Sequence, residues 1–248
     1  MPKIQIGRRQ FCPSCPLALF VLVCAAGLAR AQQPAPPEPQ APPNNASKPS
    51  TSDPLTNDRI FGVIPNYRTV EDPTRRIVPL TTKQKLRIAA GDSFDYYAYP
   101  IAALFAAVGQ AQNNPQSWGQ GWGAYGKRFA AQFVDQTDEN MMTEAVVPWL
   151  VKQDPRYFRM GQGSFWHRTG YAMSRIWVTR TDAGHKAFNV SEIAGAGIAA
   201  TISNAYYPQD SRGVSDTLSR WGIFVGEDTA FNVLKEFWPD MRHKILKR

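Results

Sequence analysis

FNVSEIAGAGIAATISNAYYP, residues Phe188 to Pro208, reads as one helix that is apolar or small on nearly every side after its first turn. Asn189 is a favourable N-cap, and Glu192 stands three residues on, where its carboxylate can reach back to the cap's backbone N–H. Phe188 and Ile193 are placed for a hydrophobic staple, and Pro208 marks the stop because proline disfavours helical geometry at the residue before it. Ser191, Gly195, Ala199 and Ser203 recur every four residues and form a ridge that another backbone can approach closely. Ile198, Ile202 and Tyr206 stand on the opposing ridge. The unbroken apolar core, Ile193–Ile202, is about half of the ~20 residues a bilayer span requires. The stretch is therefore expected to be a buried helix at the centre of a bundle.

Outward from this helix, the chain divides into three parts. Lys3, Arg8 and Arg9 precede an apolar run from Leu17 to Leu28, and Ala29-Arg30-Ala31 follows. This is the layout of a secretory signal peptide, predicted over residues 1–31. Arg8-Arg9-Gln10-Phe11 resembles the heart of a twin-arginine signal without the rest of the pattern, so both export routes stay open. Cys12, Cys15 and Cys24, the chain's three cysteines, all fall in this segment. A mature chain without them has no disulfide, thiolate metal site or cysteine nucleophile. The whole chain carries +8, and removal of Lys3, Arg8, Arg9 and Arg30 leaves +4. Residues 32–58 are rich in Pro, Gln, Asn and Ser and lack the apolar residues to offset their ordering entropy, so a disordered linker is expected there.

Residues 59–248 are expected to form an all-α domain, a compact bundle of five or six helices. Ile60–Leu80 reads as extended. A helix should start at Thr81, with Gln84 completing a capping box, and Pro100 must kink or divide it. Ser117 and Gln120 suggest another cap before a glycine-rich stretch, where the helix either packs closely or begins only near Ala124. Thr137–Asp154 reads as a further helix kinked at Pro148. Ser164–Thr179 reads as amphipathic, and Ser215–Trp238 as the last helix, stopped by Pro239.

Candidate chemistry is sparse. Asp182 and His185 share a loop just before the central helix, and Glu192 lies in its first turn. A histidine held by a carboxylate can act as a base or a metal ligand, so these three are the candidate catalytic residues. The competing reading makes Asp182 a turn former and Glu192 a cap partner. Asp135, Glu139 and Glu144, with Asp92 and Asp95, form an acidic set without the Glu-x-x-His pairs of bundle metal sites. No metal site and no cofactor are therefore expected. Gly161-Gln162-Gly163-Ser164 lacks the spacing and preceding strand of a hydrolase nucleophile elbow. Arginines and aromatics interleave from Arg156 to Arg180. Arg168, Arg175, Arg180, Trp166 and Trp177 are the candidate ligand or membrane-surface residues, since arginine meets lipid phosphate while Trp sits at headgroup depth.

The run Arg168–Pro208, with Asp154-Pro155-Arg156-Tyr157 and Lys235–Asp240 (KEFWPD), resembles a family of uncharacterised exported bacterial proteins. The resemblance spans about Arg59 to the C-terminus. It implies an exported protein and supplies no catalytic residue. The expected function is a non-enzymatic envelope protein, periplasmic or in the outer envelope, that associates with an anionic lipid surface or a cell-wall polymer. The basic tail Arg242–Arg248 favours such partners. No nucleic-acid motif is present, and the oligomeric state is left open. Two alternatives stand beside this reading: an exported hydrolase using Asp182, His185 and Glu192, and an integral membrane helical bundle.

Overall fold

The computed structural model describes residues 59–66, 68–70 and 78–246. The expected signal peptide (1–31) and linker (32–58) lie outside the described residues, as do the side chains of 244–248. The described part is mostly helical, as expected, with six helical runs and three very small sheets.

The first helix, α1 (Thr82–Phe94), starts where the capping box places it. Thr81 accepts from the Gln84 N–H at 3.3 Å, and the Gln84 side chain accepts from the Thr81 N–H at 2.9 Å. Pro100 divides the following stretch: α2 (Ala98–Ala111) begins afresh and holds the proline in its first turn, where its missing N–H leaves no gap. α3 (Trp122–Asn140) starts after Gly119 and Gly121, which take positive φ values of 68° and 93°. Ser117 donates to Asp210 at 2.9 Å and takes no part in a helix cap.

The expected break at Thr137 is absent. α3 runs directly into a π-helical segment (Met141–Val146) and then α4 (Val147–Val151), making one run of helix. Thr137 sits inside it and donates to the Phe133 carbonyl at 2.8 Å. Pro148 can donate nothing to the preceding turn, and the wider winding just before it absorbs that loss. Its own carbonyl is taken by Lys85 at 3.1 Å. The run ends at Lys152, in the left-handed region at φ 55°.

The expected long amphipathic helix is shorter, α5 (Phe165–Ser174). The chain then forms a hairpin, β6 (Val178–Thr181) and β7 (Lys186–Phe188), with Val178 opposite Phe188. β6 also pairs antiparallel with β4 (Gln153–Asp154). Near the start, β1 (Arg59–Ile60) and β2 (Ile64–Pro65) form a small hairpin, and β3 (Thr69–Val70) pairs in parallel with β5 (Tyr157–Phe158). That last pairing brings Arg68 to the bundle.

The helix read first is α6 (Val190–Ile202), capped by Asn189, whose side chain accepts from the Glu192 N–H at 3.1 Å. Ser191, Gly195, Ala196, Ala199 and Ala200 are its buried face, and the three alanines pack with Phe224 and Trp221 of α7 (Val214–Leu246). The opposing ridge is not buried, because Ile198 and Ile202 are exposed. The helix is thus one-faced and not surrounded. α7 continues through Pro239, contrary to the expected stop. One turn before the proline, the Glu236 carbonyl accepts from Arg159 at 2.8 Å and from Arg168 at 2.7 Å, so two guanidinium groups anchor the helix there.

Gly195 sets the spacing of the interior. A Cβ there would lie 3.0 Å from Thr143 Cα and 3.1 Å from the Met142 carbonyl, so α6 touches the backbone of the π-helical segment. Gly126, in α3, has open space at the same position. Gly195→Ala should destabilise the protein by about 1–3 kcal/mol through overpacking. Gly126→Ala should stabilise it by up to about 1 kcal/mol through helix propensity. Urea denaturation midpoints of the two variants test this, and the reverse order would contradict the close approach.

Candidate functional site: an aromatic corner and a buried acidic cluster

The arginine–aromatic pattern separates in the structure. Arg168 is buried: its Nε donates to Glu236 at 2.9 Å, it pairs with Asp240, and its guanidinium stacks 4.5 Å from the Phe237 ring. Arg175 lies over Tyr171 at 4.5 Å, and Arg180 over Phe158 at 4.8 Å. Arg168 is thus turned away from any surface ligand, while Arg175 and Arg180 are only partly buried. The aromatics face outward, with Trp166 80% exposed and Trp177 51% exposed.

A second group of exposed apolar residues adjoins Trp177. Its ring lies 6.3 Å from that of Phe188, across the base of the β6–β7 hairpin. The tip of this hairpin is fastened to the end of α4, where the Asp182 N–H donates to the Lys152 carbonyl at 2.8 Å. Trp149, Leu150 and Val151 of α4 are exposed beside it, as are Lys152 and Lys186.

The candidate catalytic trio is not assembled. Asp182 accepts both of its short bonds from the buried Lys85 ammonium, at 2.8 and 2.9 Å. Lys85 also donates to the carbonyls of Pro148 and Gln153, so this ion pair ties the hairpin to α1 and α4. His185 is exposed in the turn. Glu192 goes elsewhere: its backbone serves the Asn189 cap, while its carboxylate turns inward to Glu139 and Asp228.

The acidic set also redistributes. Asp95 pairs with Arg59 at 2.6 Å. Asp135 accepts from Ser203 and from Tyr206 and Tyr207 at 2.6 and 2.7 Å, joining α3 to the end of α6. The interior keeps Asp92, Glu139 and Glu144 and adds Glu192 and Asp228. Arg68 enters among them, 2.9 Å from Asp92 and in direct contact with Glu144, which is fully buried. Lys235 is buried in the same network.

Burial dominates the electrostatics here. It pushes the Glu139 carboxyl well above its ordinary value, and the nearby Asp228, Glu227 and Glu192 charges push the same way. Glu192 is raised well above by burial and then by Asp228. Glu144 is raised well above by burial even with Arg68 opposing. Lys235 is lowered to about 8, first by burial and then by the Arg68 charge. Such a cluster can hold protons or a cation. A small cleft lined by Arg68, Asp154, Arg175, Glu192, Asp228 and Lys235 reaches it.

Sequence reading had Glu139, Glu144 and Asp92 together but missed Arg68, Asp228 and Lys235. Asp228 follows Phe224 by four residues, on the same ridge of α7 as that core residue, and that spacing was the available signal. Arg68 carried none, since its place comes from the β3–β5 pairing. No protein-family model, no curated protein and no solved structure matches the chain.

Glu236 is a fully buried carboxylate that joins several elements. It accepts from Tyr157, Met160, Gly161 and Arg168, at 2.8, 3.0, 2.9 and 2.9 Å. Glu236→Ala should cost about 3–5 kcal/mol, because it strands Arg168 and two backbone donors. His185→Ala should change stability by less than about 0.5 kcal/mol. Chemical denaturation of both variants checks the ranking.

Proposed function

We propose that the protein is an exported, non-enzymatic component of the cell envelope, and that its helical domain rests peripherally on an anionic lipid surface. The observation that carries this reading is the corner formed by the end of α4 and the β6–β7 hairpin. Trp149, Leu150, Trp177 and Phe188 are exposed there beside Lys152 and Lys186. Asp182 is the sole carboxylate within residues 147–152 and 177–188, and Lys85 already neutralises it. The corner therefore offers apolar rings and uncompensated positive charge, the pairing that suits headgroup phosphates above acyl chains. The signal-like N-terminus supports export, and the Pro-rich stretch that follows supports a tether.

The hydrolase reading gains no support from the placement of Asp182, His185 and Glu192. Among the described residues, no helix is long and apolar enough to cross a membrane, so the corner is proposed to lie on a bilayer and not to span it.

Co-sedimentation with vesicles tests the proposal. At low salt the purified protein should pellet with vesicles containing phosphatidylglycerol and not with pure phosphatidylcholine. The pair Trp177→Ala and Phe188→Ala should weaken partitioning roughly tenfold or more, given ~1.5–3 kcal/mol for a fully buried large apolar side chain. Equal binding to both vesicle types, or binding to peptidoglycan alone, would overturn it.

A further inference from the structure

Three helices bring one carboxylate each to a single point inside the bundle. Glu139 comes from the last turn of α3, Glu192 from the first turn of α6, and Asp228 from the middle of α7. One oxygen of each lies within 4.8 Å of the other two. The convergence is built by the backbone. Gly195 sits one turn beyond Glu192 and presses α6 onto Met142 and Thr143, which follow Glu139 by three and four residues. The same contact that sets the helix spacing therefore sets the carboxylate spacing. The π-helical winding begins two residues after Glu139, at Met141, and irregular winding of this kind concentrates at functional sites.

A second, independent observation concerns what these oxygens lack. Glu139 is only 6% exposed, and its buried Oε1 has no hydrogen-bond partner; the buried Oε1 of Glu192 has none either. A buried carboxylate oxygen left unpaired is costly, and native interiors rarely tolerate it. The interior cations do not answer this need. Arg68 is engaged by Asp92 and Glu144, and among the described residues no Lys or Arg forms an ion pair with Glu139, Glu192 or Asp228. Among the described residues, Asp92, Glu139, Glu144, Glu192, Glu227 and Asp228 share this network with the cationic side chains of Arg68 and Lys235.

We propose that Glu139, Glu192 and Asp228 form a binding site for one hard divalent cation of the Ca²⁺, Mn²⁺ or Mg²⁺ class, held between α3, α6 and α7. A hard ion with metal–oxygen distances of roughly 2.0–2.6 Å spans oxygens spaced in this way. The donor set is all oxygen. His167, His185 and His243 are all exposed and outside the cluster, so nothing selects Zn²⁺ or Cu²⁺. The ion supplies the positive charge that the protein's own side chains do not. It also ties three helices together at this point.

The test uses the purified protein stripped with EDTA and titrated separately with Ca²⁺, Mn²⁺, Mg²⁺ and Zn²⁺. Calorimetry follows binding and a thermal melt follows stability. At least one of the three hard cations should bind at one per chain and raise the melting temperature. Glu139→Gln and Asp228→Asn keep the side-chain shape and remove a charged ligand. Each should weaken binding by at least the roughly tenfold typical of losing even an outer-shell partner. Asp210→Asn, at an exposed site, should bind as the unaltered protein does. Electron paramagnetic resonance of bound Mn²⁺ needs no variant and should report an immobilised ion. The proposal fails if no hard cation binds, if Zn²⁺ binds more tightly than all three, or if the two amide variants retain full affinity. The first of these results would mean that the cluster holds protons instead.

Discussion

The fold depends on a guanidinium inside an acidic interior. Arg68 lies between Asp92 of α1 and Glu144 of the π-helical segment, and both carboxylates are buried. Bringing these charges out of water carries a desolvation cost of several kcal/mol per ion, which only close mutual contact offsets. Removal of any one partner leaves the others uncompensated. That obligation explains the parallel β3–β5 pairing, which is only two residues long but delivers Arg68 to its place. It also explains why an extended segment ahead of the first helix belongs to the domain and is not part of a tether.

Around this centre the usual distribution of polarity is partly reversed. Asp135 with two tyrosines and Glu236 with Arg168 form buried polar joints between elements. Trp122, Trp149, Trp166 and Leu150 stand outside. A domain with a small-residue, polar-jointed interior has few large apolar side chains left to bury. Ala196, Ala199 and Ala200 pack α6 closely without bulk, and Trp122, Trp149, Trp166 and Trp177 lie at the surface while Phe158, Phe224 and Trp238 stay buried. Exposed apolar residues scattered singly would need no explanation, but a corner of them beside lysines does.

Much of this architecture was legible because its causes are local. The Thr81–Gln84 box and the Asn189 cap need only their own neighbours in sequence, and both form. The small ridge of α6 foretold its close packing. What was not legible depends on partners distant in sequence. Pro239 reads as a stop, yet α7 continues past it, and Arg159 and Arg168, about 70 to 80 residues earlier, hold the Glu236 carbonyl one turn before it. Glu192 reads as half of a capping box, yet its carboxylate turns inward, because three helices converge there. The π-helical winding has no composition of its own; it follows from Pro148 and from the backbone of α6 pressing at Gly195. The candidate catalytic trio is dispersed for the same reason. Nearness in sequence placed Asp182 with Glu192, and a lysine 97 residues from Asp182 claimed it first.

The convergence of Glu139, Glu192 and Asp228 is proposed as a cation site and not as a cluster of shared protons. The most direct measurement is anomalous diffraction from crystals grown with Mn²⁺. The account predicts a single strong anomalous peak among the three carboxylates, about 2.1–2.4 Å from an oxygen of each. No peak there, with carboxyl oxygens drawn into short mutual hydrogen bonds of about 2.5–2.7 Å, would contradict it.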